Sequence, residues 1–498
     1  MRCAFLPGLS AYNQLARSAT YLYNDKHQMR GNFAQRSGPP HTMNDEIPSS
    51  APSSGGIRAL DLARSNQTAG SLKFKSYWWE AAPRPLDVRN QSLPARADVV
   101  IVGSGFTGLS AALTLLKRGR SVIVLDAGVP GMGASTRNGG QVGSGNQKFR
   151  VAKLIALRGR RKAEELLRDG TRMLDYIEHL IASENIDCAF SRCGRFRGAM
   201  QPEHYEAMAR DMEDLRDIAG VESFMVPKSE QHSEIGSDVF FGGSVLPNDA
   251  SLHPGRYHAG LMERITALGG EIIGNAAVNG ITHDYDGFKI RTAIDDLTCR
   301  EVIVATNGYS GNVVPELGRR IVPIGSAIIA TEEIPEALFS TLMPKLRVYG
   351  NTNRIFYYYR AAPGERRVVW GGRVGRLASE TSAAAYRHLA RDMLHVFPAL
   401  RDTAVTHAWT GQIGYTYDEV PHIGCTAGGV HFALGYCGTG VSRATYFGHK
   451  IALKLLQDPE GKTAFDDLGF PSFPFHPIAK RAVPVVETWY RIRDAVNK

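Results

Sequence analysis

Residues 97–126, ADVVIVGSGFTGLSAALTLLKRGRSVIVLD, constrain this chain more than any other stretch. The run Asp98 to Val102 is largely apolar, too short for a helix, and reads as a strand. Gly103, Gly105 and Gly108 follow in G-x-G-x-x-G spacing, and Phe106, Leu109, Ala112, Leu113 and Leu116 then recur on one helical face. Val122 to Leu125 reads as a second strand that closes on Asp126. Each part has a physical task. Gly103 permits a tight turn, Gly105 lets backbone approach a pyrophosphate, and Gly108 lets helix and strand pack closely. The helix N-terminus offers N–H groups to phosphates, and Asp126 stands where an acid accepts hydrogen bonds from a ribose. The glycine spacing alone is weak. With strand, helix and acid all in place it predicts a dinucleotide site rather than an idle turn. It does not separate FAD from NAD, because both carry an ADP half.

At 498 residues the chain exceeds what one hydrophobic core usually supports, so two domains are expected. A formal charge of +9 makes it basic, but Lys and Arg are scattered and no dense basic run with interleaved aromatics appears, which argues against nucleic acid as a partner. The six cysteines, Cys3, Cys188, Cys193, Cys299, Cys425 and Cys437, form no C-x-x-C pair and lack histidines at zinc spacing. They read as free thiols of a reducing compartment, with no metal site. No uninterrupted apolar run reaches membrane-spanning length. A cytoplasmic location is the expectation.

Residues 1–56 mix Ser, Pro, Gly, Asn and Arg without sustained periodicity, and SSAPSSGG (49–56) is linker-like. Up to residue 42 the only acid is Asp25. A transit peptide has that bias, but a disordered extension, or a start at Met43, is the preferred reading. The whole of 1–74 is expected to be disordered or extended. Val151 to Ile186 has a helical pattern in which Gly170 is the expected interruption. Residues 265–281 read as helix end, strand and turn, and Val302 to Ala305 as a strand entering a Gly turn. RIFYYY and RVVWGG read as strands, Ser382 to Phe397 as a helix, and 429–456 again as strand, Gly turn and helix. Nucleotide-domain elements thus recur early, midway and late. The expected division is a cofactor domain over 75–195, 245–318 and 405–460, with an inserted substrate domain over 196–244 and 319–404 and a packing tail over 461–498.

The ordered set SYWWE, GASTRNGGQV (133–142), IDCAFSRCGRFRGAM (186–200), VIVATNGYS (302–310), WTGQIGYTYDEVPHIG (409–424), GYCGTGV (435–441) and the tail FPFHP…WYRIRD (473–494) resembles the FAD-dependent amine oxidoreductases of the D-amino-acid oxidase superfamily over roughly 75–495. It is most like the gamma-glutamylputrescine oxidoreductase group, with sarcosine and glycine oxidases further off. The resemblance implies an α/β fold: a discontinuous Rossmann-like FAD-binding domain with an inserted, mostly antiparallel β-sheet substrate domain. It implies FAD contacts from Gly103, Gly105, Phe106, Thr107, Gly108, Asp126 and Ala127, and from Ser135, Thr136, Arg137, Asn138, Gly139, Gly140 and Gln141. Val278, Ala305, Thr306, Asn307 and Gly308 follow, then Gly438, Thr439, Gly440 and Val441 at a helix start facing the flavin edge where negative charge collects.

No second strand-linked fingerprint indicates NAD(P)H. No His lies in GASTRNGGQV, and Cys425 comes too late for a flavin linkage, so non-covalent FAD is expected. Some oxidases of the resembled family place a lysine over the flavin to activate oxygen; residues 351–375 hold five arginines and no lysine, so the resemblance puts O2 as acceptor in question. The implied activity is oxidation of the C–N bond of a small, gamma-glutamylputrescine-like amine to an imine, hydrolysed to aldehyde and ammonia. O2 or another acceptor then takes the electrons. The alternatives are a sarcosine- or glycine-type oxidase, an amino-acid dehydrogenase, or a flavin-binding protein without turnover. Amine oxidation rests on positioning more than on acid–base groups. Candidate substrate-site residues are Tyr358, one of the alternating aromatics Phe356 to Tyr359, then Arg354 and Arg373 as carboxylate forks, and His253 at a helix start. Trp409 and Tyr415 flank a Gly turn expected near the cofactor.

Overall fold

The computed structural model describes residues 55–64, 72–84, 92–144, 149–353, 356–373 and 380–472. The expectations for the first 54 residues, for Arg354 and for the tail from 473 lie outside the described residues, as does the side chain of Arg373.

Two sheets organise the chain. One is built on five parallel strands in the spatial order Glu271–Ile273, Val122–Leu125, Arg96–Val102, Asp296–Val304 and His431–Leu434. Antiparallel strands Val278–Asp284, Gly287–Thr292 and His422–Cys425 extend it. In the strand Arg96–Val102 the stretch from Val99 to Val102 shows why polar alternation is missing there. Val99 and Ile101 enter the core beneath the helices, whereas Val100 and Val102 enter the core on the opposite face. A sheet covered on both faces demands an apolar residue at every position.

Helices Phe106–Lys117 and Gly440–Leu455 pack together on one face of this sheet. Ser110 Oγ donates to the Thr445 carbonyl at 2.7 Å. A Cβ on Gly448 would lie 2.3 Å from the Thr107 carbonyl oxygen, so the crossing needs glycine there.

The second sheet has nine strands, ordered Ile57–Arg58, Ala404–Tyr415, Val322–Thr331, Val368–Arg373, Tyr357–Ala361, Val348–Asn351, Arg195–Gly198, Gly243–Leu246 and Phe224–Val226. Neighbours are antiparallel except Val348–Asn351 beside Arg195–Gly198. Phe196, Tyr349, Tyr359, Trp370, Ile329 and Ala408 fall in one cross-strand row, and all join a single apolar core. Leu389, Ala390, Met393 and Val396 of helix Arg387–Val396 bury themselves in the same core. The alternate residues, Tyr358 among them, face the other way.

Three expectations are corrected. Ile57–Arg58 pairs with Val405 and Ala404, and helix Ala59–Arg64 buries Ala59, Leu62 and Ala63, so ordered packing begins before residue 74. The strand Ala404–Tyr415 lies in the nine-stranded sheet along its length, so the return to the parallel sheet follows Tyr415 rather than 405. The interruption in the helical stretch is Gly159, at φ +77°, between helices Val151–Arg158 and Arg160–Ser183. Gly170 continues inside the second helix.

Gly448→Ala is expected to destabilise the protein by about 1–3 kcal/mol, as overpacking does. Gly469→Ala, where a Cβ meets nothing within 4 Å among the described residues, should stay within about 0.5 kcal/mol of the parent. Denaturant unfolding of the pair checks this, and equal stabilities would overturn the account of the helix crossing.

Candidate functional site

A cavity of about 590 Å³ opens at the C-terminal ends of the parallel strands, between the two sheets. Gly103 leaves its strand at φ +106°, and its N–H donates to the Leu125 carbonyl at 2.8 Å. A Cβ on Gly108 would lie 2.0 Å from the Gly103 carbonyl oxygen, so Gly108 does not line the cavity and instead allows the helix to start there. Gly105, Phe106 and Thr107 do line it. Ser135 Oγ accepts from the Phe106 N–H at 2.9 Å, which docks the loop after the second strand onto the helix N-terminus.

Asp126 also lines the cavity, beside Ala127. Its Oδ2 accepts from the Ser104 N–H at 3.0 Å and from the Ser104 hydroxyl at 2.5 Å, and its Oδ1 accepts from the Gly128 N–H at 3.1 Å. The Ser104 carbonyl in turn accepts from His258 Nε2–H at 2.7 Å. His258 Nδ1 accepts from the buried Arg84 guanidinium at 3.0 Å, and Arg84 also donates to the Ala82 and Gly255 carbonyls. Burial, then the neighbouring Arg84 charge, hold the His258 pKa down at about 3, and burial lowers that of Arg84. The neutral imidazole therefore has a fixed tautomer.

The loop 133–142 is cross-braced by its own polar residues. Asn138 donates to the Ala134 and Ser135 carbonyls at 3.1 and 2.9 Å and accepts from the Gly140 N–H at 2.8 Å. Arg137 donates to the Met132 and Thr410 carbonyls at 2.8 and 3.0 Å. Ser135, Arg137, Asn138, Gly139 and Gln141 line the cavity, whereas Thr136 and Gly140 do not. Thr136 is fully buried and accepts from Trp79 Nε1–H at 2.9 Å. Gly140, at φ +66°, packs against the Leu252 carbonyl, where a Cβ would stand 2.2 Å away. Trp409 is a core residue that donates to the Arg137 carbonyl at 2.9 Å.

Val278, Ala305, Thr306 and Asn307 line the cavity. Gly308 does not, because it meets the backbone of Gln412 to Gly414. Asn307 Oδ1 accepts from the Gly435 N–H at 2.9 Å and so links the middle and late segments. Gly438, Thr439, Gly440 and Val441 line the wall where helix Gly440–Leu455 begins, with its positive end toward the cavity.

The nine-stranded sheet closes the other side with Tyr358, Phe356, Ser326, Ile413 and Tyr415. The Tyr358 hydroxyl lies 3.2 Å from Ser326 Oγ, and burial raises the phenol pKa. His253 is a correction: it stands outside the cavity lining, and its ring Nδ1 caps helix Pro254–Ala267 by accepting from the Arg256 N–H at 3.1 Å. Burial, its largest cause, lowers that histidine to about 4. Sequence reasoning missed Arg195, Arg443, Gly170 and Met173, all of which line the cavity. Arg195 Nε donates to Asp249 at 2.6 Å and another of its N–H groups donates to Gln141 Oε1 at 2.8 Å. The repeated Arg in RCGRFRG was a signal that went unused.

The FAD dependent oxidoreductase (DAO) family matches residues 98–453. The chain belongs to that family. A gamma-glutamylputrescine oxidoreductase of Escherichia coli (strain K12) is 31% identical over 430 residues, spanning 85% of this chain and 98% of the relative. A probable oxidoreductase OrdL of Haemophilus influenzae is 29% identical over 404 residues, spanning 80% and 92%. The solved glycine oxidase of Geobacillus kaustophilus superposes with a TM-score of 0.64 at 20% identity, over 76% of this chain and 99% of that one. The fold is thus α/β with a Rossmann-like FAD-binding domain, and the protein is an FAD-dependent oxidoreductase.

The residues present fit that cofactor. Two helix N-termini, a carboxylate at a strand end and glycine cradles meet in one cavity. Among the described residues no cluster suits a metal ion, and no helix is long and apolar enough to cross a membrane.

Two outcomes are expected. Asp126→Ala should weaken FAD binding about 10- to 100-fold, the ~1.5–3 kcal/mol of hydrogen bonds to a charged group; fluorescence titration of FAD into stripped protein reads this, and unchanged affinity would refute the assignment. Separately, His253, His258 and His449 have pKa values of about 4, 3 and 4, all depressed mainly by burial from the ordinary 6.5. The unfolded chain then binds more protons, so stability is whole above pH 6.5 and falls as pH drops toward 4, by up to ~1.4 kcal/mol per unit per histidine. Unfolding at pH 5.5 should take up protons, and His258→Gln should reduce that uptake.

Proposed function

We propose that this oxidoreductase oxidises the C–N bond of a small amine, of gamma-glutamylputrescine-like chemistry, to an imine that water hydrolyses to an aldehyde and ammonia. FAD, bound without a covalent link, would supply the two-electron acceptor. The observation that carries the reading is the make-up of the cavity wall. Its titratable lining is Asp126, Arg137, Arg195, Arg443 and four tyrosines, with no His, Lys or Glu among the described lining residues. Asp126, engaged with Ser104, is the sole carboxylate there. Such a wall gives an ammonium group little to pair with and favours the neutral amine, the form that can release electrons. Phe356, Tyr358 and Ile413 exclude water and orient an aliphatic chain. The named activity of the E. coli relative supports the substrate class. The absence of disulfides among the five described cysteines supports a reducing, cytoplasmic setting.

Anaerobic mixing of purified yellow protein with primary amines, secondary amines and amino acids should bleach the flavin with amines. Bleaching by none of them would overturn the reading and leave a flavin protein without turnover. With a reactive amine, kcat/KM should rise with pH about tenfold per unit below the pKa of the free amine, because the neutral form is the one bound. Buried Tyr358 stays protonated in that window, so Tyr358→Phe should leave the profile unmoved. Parallel assays with O2 and with a dye acceptor separate oxidase from dehydrogenase.

A further inference from the structure

The strap 76–80, SYWWE, reaches the polar loop 133–142 from its buried side. Ser76 Oγ donates to the Thr136 carbonyl at 2.9 Å, and Trp78 Nε1–H donates to the Asn138 carbonyl at 2.7 Å. The carbonyl between them, that of Arg137, takes the Trp409 indole N–H at 2.9 Å. Three consecutive carbonyls are thus held by three buried side chains, none of which lines the cavity. The two indoles meet edge to face with centroids 6.4 Å apart, and Trp78 meets the His253 ring in the same way at 5.0 Å. The nine-stranded sheet anchors the strap independently of the loop. The Lys73 N–H donates to the Thr406 carbonyl at 2.9 Å, the Lys73 carbonyl accepts from the Ala408 N–H at 3.0 Å, and Glu80 lies 3.0 Å from His407 Nε2.

A trans peptide points its carbonyl and the following N–H in opposite directions. The described peptides are all trans. With the Arg137 and Asn138 carbonyls drawn to Trp409 and Trp78, the N–H groups of Asn138 and Gly139 turn away from the indoles. Asn138 and Gly139 both line the cavity, which the indoles do not. Among the described residues neither N–H has an acceptor, whereas those on either side do. The Arg137 N–H donates to the Ala134 carbonyl at 3.2 Å, and the Gly140 N–H donates to Asn138 Oδ1 at 2.8 Å. Two successive donors are therefore left open at the cavity wall. A Cβ on Gly139 would stand 2.8 Å from the Tyr358 ring, so the pair lies beside the nine-stranded sheet, whereas Asp126 follows a strand of the parallel one.

We propose that Trp78 and Trp409 are positioning residues for the cofactor: their indole N–H groups hold two loop peptides so that the Asn138 and Gly139 N–H groups face the flavin ring, where they favour its reduced, more electron-rich state. With Asp126 taking the ribose of the ADP half, the end of the cavity beside the nine-stranded sheet is left for the ring. Donors fixed before the electrons arrive cost no reorganisation and make the bound flavin more oxidising. The proposal needs FAD binding alone and stands whichever donor is oxidised. Potentiometric titration of the holoenzyme against a reference dye tests it. Trp78→Phe and Trp409→Phe keep an aromatic ring and lose the donor. Each should weaken the binding of reduced relative to oxidised FAD about tenfold, which lowers the potential by ~30 mV. Ser76→Ala and Trp79→Phe are the controls, since each also loses one hydrogen bond to the loop. The Thr136 carbonyl backs the Arg137 N–H, which is already satisfied, and Trp79 donates to the Thr136 hydroxyl rather than to a carbonyl. Both should keep the ratio within about twofold of the parent. If a variant holds FAD too weakly for potentiometry, titration of oxidised and of dithionite-reduced FAD into stripped protein reads the same ratio. Unchanged potentials in the two indole variants, with or without lost thermal stability, would overturn the proposal. So would an equal shift in all four variants, which marks a loosened loop. Chemical reduction gives the result even if no amine bleaches the flavin.

Discussion

Ser104 is the residue on which the site depends. Its N–H and hydroxyl both bind Asp126, and its carbonyl receives the proton of His258. One residue inside the glycine turn thus ties the end of the first strand to the acid ending the second and to a helix from a later segment. Gly103 and Gly108 are required because that turn is folded tightly enough for the Gly103 carbonyl to fill the space a Cβ would occupy. The turn in turn fixes where helix Phe106–Lys117 begins, and Ser135 seats the following loop on that beginning. Glycine turn, strand-end acid and polar loop are therefore positioned by one local geometry rather than by separate devices.

The nine-stranded sheet supplies the complementary surface. Its aromatic strand does two tasks through simple alternation: Tyr357 and Tyr359 fill the core while Tyr358 faces the cavity. Tyr359 stacks on Trp370 with centroids 4.1 Å apart, which holds the strand rigid behind the side chain that faces the cavity. Glycines at 350 and 371 then decide what stands beside Tyr358. Gly371 is overlain by its ring, whereas among the described residues a Cβ on Gly350 would meet only the Tyr357 carbonyl oxygen.

The fingerprint, the strand at 122–125 and the late Gly turn could be read from sequence because their signals are local: apolar runs, fixed glycine spacing and an acid at a set distance. What could not be read depends on contacts far apart in the chain. His253 stands at a helix start, as its neighbour Pro254 suggests, but capping rather than chemistry explains it. Gly159 and Gly170 are equal in a pattern; only backbone φ separates the break from the continuous helix. Thr136, Gly140 and Gly308 sit among lining residues in sequence yet turn into packing contacts. Arg84 and His258 carry no motif, because their role exists only once residues 84, 104 and 258 meet.

The charge pattern around the cavity extends this argument. Arg84 and Arg360 are buried, and among the described residues neither forms an ion pair with a carboxylate. Arg360 donates to the Gly140 and Leu252 carbonyls at 2.8 and 3.0 Å, and burial lowers its pKa to about 10. A buried guanidinium satisfied only by neutral acceptors is costly in an isolated chain. Both lie just behind glycine turns of the loop 131–140, one behind Gly131 and the other behind Gly140. Gly131 lines the cavity, and an anionic diphosphate held there would offset positive charge that the described carboxylates leave uncompensated. Cofactor binding and folding would then be linked, since a ligand that binds only the native state stabilises it. On that account an anionic ligand would complete the native state and make tolerable two buried arginines that would weaken an ordinary core.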